Sequence, residues 1–185
     1  MQVKLKLIAA ASENMGIGIN GDLPWRLRKE MDFFTKMTST TNDTDKKNVV
    51  LMGRRTWESI PKKFKPLANR INMVLTSQPL DLGDDAIVCK NLPEAVEKIS
   101  QSPLKDNVEQ VWVIGGSSVY KASMESPNFY RLYLTRIKKH FDCDTFFPQI
   151  PENYVLVKDP EVPQGMQQEK DITFEYEVYE KKRNQ

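Results

Sequence analysis

Short apolar runs alternate with stretches of helical periodicity along most of this 185-residue sequence, and this alternation constrains its fold more than any other feature. The apolar runs are short and end at glycine, proline or polar residues, which is typical of strands. Strands are predicted at residues 3–11, 48–52, 70–76, 86–89, 110–114 and 131–137. Helices are predicted at residues 27–37, 54–59, 92–101 and 115–124. Strands separated by helices predict a mainly parallel sheet with helices on both faces.

The last part of the sequence has a different pattern. Residues 154–159 and 172–180 alternate apolar with polar positions, which predicts antiparallel strands with one face in solvent. We therefore expect an antiparallel edge on the parallel sheet. The sequence contains no repeat, low-complexity tract or linker, and its length suits one domain. The prediction is a single three-layer α/β domain over residues 1–185.

Charge and hydropathy exclude several classes of protein. Lys and Arg total 27 against 25 Asp and Glu, a formal charge of +2, whereas nucleic-acid binders usually carry a concentrated basic excess. No apolar run approaches the roughly 18 residues that a membrane-spanning helix needs. The apolar run at residues 7–11 is shorter than the core of a secretory signal. We expect a cytoplasmic protein that binds neither membrane nor nucleic acid.

Cysteine and histidine are scarce, which limits the available chemistry. Cys89 and Cys143 cannot build a disulfide framework, and their spacing resembles no metal-ligand motif. The single histidine, His140, stands among charged residues and is expected on the surface. A site with two histidine ligands is impossible, and a Ser-His-Asp arrangement would have to use His140. If the protein is an enzyme, a cofactor and no metal is expected to carry its chemistry.

Gly16, Gly18 and Gly21 form a literal G-x-G-x-x-G, the pattern of dinucleotide-binding βαβ units. The third glycine of that motif lies in a helix, but Pro24 prevents a helix from continuing through this segment. The bulky apolar residues at 23 and 25 instead favour a loop that covers a site. A plain surface turn is the alternative.

Two further glycine turns follow predicted strands and precede predicted helices. One is the Gly-Gly-Ser-Ser segment at residues 115–118, and the other is the Gly-Arg-Arg-Thr segment at residues 53–56. Helix N-termini offer unpaired N–H groups, and glycine lets a phosphate approach the backbone closely. Two such turns in one parallel sheet predict a nucleotide with several phosphates. Either turn alone is also compatible with a purely structural role.

Two charged residues are candidates for gripping a substrate. Glu30 lies on the predicted helix face of Leu27, Met31 and Phe34, and an inward carboxylate needs a partner and has a displaced pKa. It is predicted to hold a cationic or amidine-like group, or else it reaches solvent at the edge of that stripe. Arg70 begins a predicted strand, where its guanidinium group could bind a substrate carboxylate with two hydrogen bonds. An ordinary salt-bridged arginine is the alternative.

These motifs together resemble the dihydrofolate reductase family, of the animal type, over a span from Leu7 to Glu180. The most specific matches are residues 14–18, 21–25, 52–61, 70–72, 114–120 and 144–148. The resemblance implies an eight-stranded, mostly parallel mixed sheet with about four flanking helices. It also implies reduction of 7,8-dihydrofolate to 5,6,7,8-tetrahydrofolate by NADPH, with hydride transfer to C6 and protonation at N5. The product supplies one-carbon units for thymidylate and purine synthesis.

The resemblance assigns roles to substrate-binding residues. It implies that Glu30 hydrogen-bonds the amino group and a ring nitrogen of the pterin, with support from Trp25 and Thr135. It implies that Arg70 binds the α-carboxylate of the glutamate tail. The other residues implied to line the substrate pocket are Ile8, Ala10, Leu23, Met31, Phe34, Ile60, Phe64, Ile114 and Tyr120.

The implied cofactor is NADPH, held mainly by the glycine-rich segments, and the Gly115–Gly116 peptide bond is implied to be cis. The residues implied to bind NADPH are Ala10, Ile17, Gly18, Gly21, Asp22, Arg54, Arg55, Thr56, Leu75, Thr76, Ser77, Lys90, Gly115, Gly116, Ser117, Ser118, Val119 and Tyr120.

The sequence departs from the family pattern in both subsites. Many relatives carry an arginine just past Thr76 that grips the 2′-phosphate of NADPH, whereas serine and glutamine follow here. Arg54, with Thr76, Ser77 and Lys90, is then expected to supply that contact, with a weakened preference for NADPH over NADH. Met31 stands where phenylalanine is frequent, and Phe64 stands where vertebrate forms carry asparagine. Both changes are expected to reshape the slot for the aminobenzoyl group.

The implied partners are dihydrofolate and antifolate inhibitors, with activity on folate itself left open, and a monomer is expected. A pyrimidine reductase of riboflavin synthesis shares the fold and cofactor, but it has no use for a pterin-binding acid or a clamp for a glutamate tail. A non-catalytic NADPH-binding module is the second alternative, although binding alone needs neither Glu30 nor an apolar loop over the site. The charge of +2 disfavours a basic interaction domain.

Overall fold

A mixed sheet of nine strands forms the centre of the part of the chain that the computed structural model describes, residues 2–183. Including a small separate ribbon, the strands are β1 Leu5–Ala11, β2 Gly16–Gly18, β3 Lys47–Gly53, β4 Arg70–Leu75, β5 Ile87–Cys89, β6 Val108–Val113, β7 Phe129–Ile137, β8 Thr145–Phe146, β9 Tyr154–Val157, β10 Met166–Glu169 and β11 Ile172–Lys181. The helices are α1 Arg28–Ser39, α2 Arg54–Ser59, α3 Leu92–Ile99, α4 Leu104–Asn107 and α5 Ser117–Glu125, with a 3₁₀ turn at Lys62–Phe64.

Neighbouring strands from β7 to β5 are parallel, in the order β7-β1-β6-β3-β4-β5, as the alternation of strands and helices predicted. β11 pairs antiparallel with β7, and both β10 and β9 pair antiparallel with β11. These C-terminal strands form the predicted antiparallel edge. β2 and β8 form the separate two-stranded ribbon.

Alternation along β1 divides the core between the two faces of the sheet. Leu5 and Leu7 belong to an apolar cluster that includes residues of α3 and α5, whereas Ile8 belongs to one that includes residues of α1. Successive strand side chains point to opposite faces, so the same strands supply both layers of core. Helices on both faces of the sheet confirm the predicted three-layer α/β arrangement.

The inner face of α1 differs from the predicted stripe. Phe33 and Met37 are buried together with Glu30, whereas Met31 is 52% exposed and Phe34 is half-buried. Met31 and Phe34 share the predicted face with Leu27 and Glu30, but that part of the face lines a cleft and is not packed in the core. Met31 and Phe34 line a cleft instead, and helical periodicity alone cannot distinguish a side chain packed in a core from one on a cleft wall.

Short elements account for most other differences from the predicted secondary structure. β2, β8, β10, α4 and the 3₁₀ turn were not predicted, because segments of two to four residues carry no readable periodicity. The predicted strands and helices are present, with ends shifted by a few residues. α1, α2, α3 and α5 match the number of helices that the resemblance implied, and α4 adds a single turn.

Candidate active site

A cleft of about 2610 Å³ runs along the carboxyl ends of β1, β3, β4 and β6, with α1, α2 and α5 contributing to its walls. A pocket for one small ligand usually measures about 300–1,000 Å³, so this cleft has room for two ligands. Every predicted site residue lines it except Thr135. The carboxyl ends of parallel strands are where ligands bind in open α/β sheets.

Glu30 is presented to the cleft by the first turn of α1, and the residue is only 6% exposed. The hydroxyl of Thr135, on β7 behind the cleft, donates a hydrogen bond to Oε2 of Glu30 over 3.0 Å. Burial raises the pKa of Glu30 to about 8, although the hydrogen bond from Thr135 opposes that shift. A carboxyl group with this pKa changes charge near neutral pH, and a cationic group beside it would favour its ionised form.

Trp25, Tyr120 and Ile8 surround the same part of the cleft. The buried indole Nε1–H of Trp25 has no hydrogen-bond partner among the described residues, and an unpaired buried donor is costly. The hydroxyl of Tyr120 donates to the carbonyl oxygen of Ile8 over 2.7 Å. Burial and the nearby Glu30 carboxylate raise the pKa of Tyr120, so its phenol is neutral at neutral pH. The cleft therefore presents a buried acid and an N–H donor to a ligand.

Apolar side chains form the outer walls of the cleft. Met31 is 52% exposed and Phe64 is 55% exposed, and both line it. Phe34, Ile60 and Ile114 line it in half-buried positions. Apolar side chains that remain exposed inside a concave surface are typical of a ligand pocket.

Arg70, the first residue of β4, lines the cleft with its side chain half-buried. Its Nε donates to the carbonyl oxygen of Ala68, and its Nη1 donates to the hydroxyl of Thr38, both over 2.9 Å. Within the described chain, no Asp or Glu forms a salt bridge with Arg70. Burial lowers the pKa of Arg70. The alternative of an ordinary salt-bridged arginine does not hold, and the guanidinium charge is available to an anionic ligand.

Asn72 shapes the same part of the cleft and was not predicted as a site residue. It is buried in β4, and its side chain accepts from the N–H of Leu67 and donates to the carbonyl oxygens of Leu67 and Arg70, over 2.9 to 3.1 Å. These bonds hold Leu67, which lines the cleft together with Pro66. A buried amide inside an apolar strand must find partners, and that was the signal available in the sequence.

The two glycine turns lie side by side at the ends of β3 and β6. The backbone N–H of Gly53 donates to the carbonyl oxygen of Gly115 over 2.9 Å. A Cβ at Gly53 would approach Cγ2 of Val119 to 3.2 Å, and Gly115 has a φ of +119°, which residues with a side chain rarely adopt. The Gly115–Gly116 bond is cis, as implied. No side chain of residues 2–183 caps α5, so the N–H groups of its first turn, from Ser117, have no such acceptor there.

The cations expected near a 2′-phosphate are more exposed than these turns. Arg54 Nε pairs with Oε1 of Glu58, one turn later in α2, over 2.8 Å. Lys90 is exposed between β5 and α3, and both cations line the cleft. Thr76 and Ser77 line it as well, just after β4. An anion that binds Arg54 would therefore compete with the carboxylate of Glu58.

The glycine loop forms the remaining wall of the cleft. No helix follows Gly21 before α1 begins, so the segment is not a Rossmann turn, as predicted. Asp144 accepts from the N–H of Asn20 over 2.9 Å, and its own N–H donates to the carbonyl oxygen of Gly18 over 3.0 Å. Asp22 forms an exposed ion pair with Arg26 at 2.9 Å. The loop is therefore held near Gly18 by Asp144, just before β8, and near Gly21 by the ion pair with Arg26, just before α1.

No group of three His, Cys, Asp or Glu in residues 2–183 is arranged to hold a metal ion. Cys89 and Cys143 are free thiols, and His140 is exposed and outside the cleft. No helix in the same residues has the length and apolar character needed to span a membrane.

Comparisons with known proteins decide the family of this chain. A family model described as dihydrofolate reductase matches residues 4–181. The chain belongs to the dihydrofolate reductase family. Dihydrofolate reductase from Heliothis virescens is 49% identical to it over 185 residues, covering 97% of this chain and 98% of that protein. Dihydrofolate reductase from Sus scrofa is 49% identical over 181 residues, covering 96% and 97% of the two chains.

Solved structures agree with this assignment. Dihydrofolate reductase from Schistosoma mansoni superimposes with a TM-score of 0.86 at 36% identity, covering 97% of this chain and 99% of that one. Dihydrofolate reductases act on two ligands at once, the substrate and NADPH. A cleft with room for two ligands is therefore what this family requires.

Proposed function

We propose that this chain is an NADPH-dependent reductase that converts 7,8-dihydrofolate into 5,6,7,8-tetrahydrofolate. The observation that carries the proposal is Glu30, a buried carboxyl group with a pKa of about 8 in the wall of a two-ligand cleft. A buried acid is costly unless a ligand uses it, and perturbed pKa values concentrate at functional sites.

Glu30 is assigned to the 2-amino group and the adjacent ring nitrogen of the pterin. Its ionised carboxylate accepts two hydrogen bonds from that edge and favours the ring form that can take a proton at N5. Thr135 donates to Oε2 and so fixes the orientation of the carboxyl group. The unpaired Nε1–H of Trp25 supplies a donor in the same wall.

Arg70 is assigned to the carboxylate of the glutamate tail. Its Nη2 is not used by Ala68 or Thr38, which occupy Nε and Nη1. Charged hydrogen bonds from a planar guanidinium group suit a carboxylate well. The aminobenzoyl group would lie between Met31 and Phe64, whose apolar side chains flank the cleft.

The residues present fit NADPH at the two glycine turns. A Cβ at Gly53 would fill space at the cradle, and the start of α5 has no side-chain cap within the described part of the chain. Arg54 and Lys90 provide positive charge at the cleft for a phosphate. NADPH, when bound, supplies the hydride that C6 of the pterin receives. The loop carrying Leu23 and Trp25 excludes water from the reacting rings, which strengthens the electrostatic contribution of Glu30.

The direct test is loss of nicotinamide absorbance on mixing the protein, NADPH and dihydrofolate. Rapid loss that requires both reactants supports the proposal, and absence of any loss in folded protein contradicts it. A pyrimidine reductase would oxidise NADPH only with its own substrate and would leave Arg70 and Glu30 without a ligand group. We further assign residues 1–185 to one domain, and expect a cytoplasmic monomer.

A further inference from the structure

The turn between β10 and β11 contacts the start of α1. Oε2 of Glu169 accepts from the backbone N–H of Arg28, and Oε1 accepts from the N–H of Lys29, both over 2.7 Å. The ammonium group of Lys170 donates to the carbonyl oxygen of Arg26 over 3.2 Å. These backbone hydrogen bonds lower the pKa of Glu169. The C-terminal hairpin therefore holds the first turn of the helix that carries Glu30.

α1 lacks a cap of its own. Its N-cap residue is Leu27, whose side chain cannot accept a hydrogen bond. Leu27 is instead buried with Trp25, Ile172 and Phe174, which fixes the hairpin against the start of the helix. The first N–H groups of a helix need an acceptor, and a residue about 140 positions away along the chain supplies it here.

Glu30 is the other carboxylate placed to cap this helix. It occupies the third helical position, from which a glutamate commonly reaches back to the backbone N–H of the N-cap residue, here Leu27. In that conformation it would leave the cleft. Here Oε2 of Glu30 accepts from Thr135 on β7 instead, and Glu30 lines the cleft.

We propose that Glu169 is a positioning residue for the reaction, because its carboxylate caps the first N–H groups of α1 and so holds the helix that presents Glu30 to the cleft. The inference rests on the proposed function for its catalytic consequence. The other titratable groups that interact with Glu30 are Tyr120 on α5 and Tyr176 on β11, and burial raises the pKa of each phenol, so that both are neutral. Glu169 is therefore the carboxylate that offsets the positive end of the helix dipole beside Glu30.

The test uses Glu169→Gln and Glu169→Ala in the full chain. The first removes the charge and keeps one acceptor, and the second removes both. Glu175→Gln is the matched control, because Glu175 lies on β11 of the same hairpin and faces Lys138 rather than α1. The primary measurement is titration of the Glu30 side-chain carboxyl carbon by NMR without ligands, which does not depend on activity.

We expect both Glu169 variants to lower the pKa of Glu30 by about 0.2–0.7 units, since the uncompensated helix dipole favours its charged form. The alanine variant should also raise KM for dihydrofolate about 3- to 10-fold, with KM for NADPH changed by less than about 2-fold. An unchanged Glu30 pKa in a folded Glu169→Gln protein, or an equal shift in Glu175→Gln, would overturn the inference. If the wild-type protein oxidised no NADPH, the proposed function would be wrong. The titration of Glu30 would still test whether Glu169 caps α1.

Discussion

Gly53 and Gly115, which are 62 positions apart in sequence, are joined by a hydrogen bond of 2.9 Å between the N–H of the first and the carbonyl oxygen of the second. β3 and β6 are neighbours in the sheet, so the turns that follow them are parts of one surface. A ligand that spans both turns therefore meets an arrangement that is already formed, which reduces the entropic cost of binding.

Arg54→Ala combined with Lys90→Ala should narrow the preference for NADPH over NADH. These cations line the cleft near Thr76, where no arginine follows the strand. Removing a charged hydrogen bond costs about 1.5–3 kcal/mol, which corresponds to roughly a 10- to 150-fold rise in KM for NADPH. The ratio of kcat/KM for the two cofactors is the measurement. A ratio that survives both changes would mean that the phosphate binds elsewhere.

Glu58→Gln should have the opposite effect on the same ratio. Glu58 holds Nε of Arg54 over 2.8 Å, so its removal frees the guanidinium group for a phosphate. Exposed ion pairs contribute only about 0.2–1 kcal/mol, so the gain in NADPH affinity should be about 1.5- to 5-fold. NADH should bind equally well to both proteins. A weaker affinity for NADPH in this variant would contradict the assignment of Arg54.

Arg70→Leu should raise KM for dihydrofolate by about 10- to 150-fold, because a charged hydrogen bond to the tail carboxylate is lost. KM for NADPH should change little, since Arg70 lies on the α1 side of the cleft, bonded to Thr38. Arg70→Lys is the matched variant, because it keeps the positive charge but loses the planar guanidinium group. Its KM for dihydrofolate should lie between those of the wild type and Arg70→Leu. An equal loss for both ligands would exclude a role in holding the tail.

Glu30→Gln should reduce turnover near neutral pH by about 10²- to 10⁴-fold while NADPH binding is retained. Glutamine keeps the size of the side chain but cannot favour a protonated pterin. Activity should recover partly as the pH falls, because solvent can then protonate the substrate. Asp32→Asn is the control, since Asp32 is exposed on the same helix. An equal loss of turnover at every pH would show that Glu30 does not control protonation of the pterin.

The stability of the protein without ligands should also depend on Glu30. Burial raises its pKa in the folded protein to about 8, from an ordinary value of 4.5. Between these values the folded protein binds a proton that the unfolded chain releases, so this contribution to stability is complete below about pH 4.5 and is lost as the pH rises towards 8. The free energy of unfolding, measured with urea at about pH 5 and about pH 8, should therefore decrease more between these pH values for the wild type than for Glu30→Gln. Parallel declines would contradict the pKa assigned to Glu30.

The strand and helix order could be predicted because it depends on apolar patterns that single segments carry. The burial of Glu30 could be predicted for the same reason, from its distance to Leu27 along the helix. Which apolar residues of α1 pack in the core could not be predicted, because Met31 and Phe33 are both apolar and only the position of the cleft decides which of them is buried. Periodicity describes one helix, whereas the cleft results from the packing of several elements.

Long-range polar contacts were beyond the sequence for a related reason. Thr135 reaches Glu30 across 105 positions, and it was placed only through the family resemblance. Glu169 caps α1 from a strand of four residues that has no readable pattern. Asn72 was recognisable as a polar residue inside an apolar strand, but its partner Leu67 was not. Such contacts depend on which segments the tertiary fold brings together.

The position of β1 at the centre of the sheet has a consequence for how the protein is made. β1 is complete at residue 11, but its two neighbours, β6 and β7, begin only at residues 108 and 129. A nascent chain therefore carries an apolar strand without its native partners while most of the protein is synthesised, and such non-local pairing folds slowly. Chaperones that bind exposed apolar segments would have their longest opportunity at β1. Antifolates should protect the new chain from proteolysis only after β7 has left the ribosome, because Thr135, which orients Glu30, lies on β7.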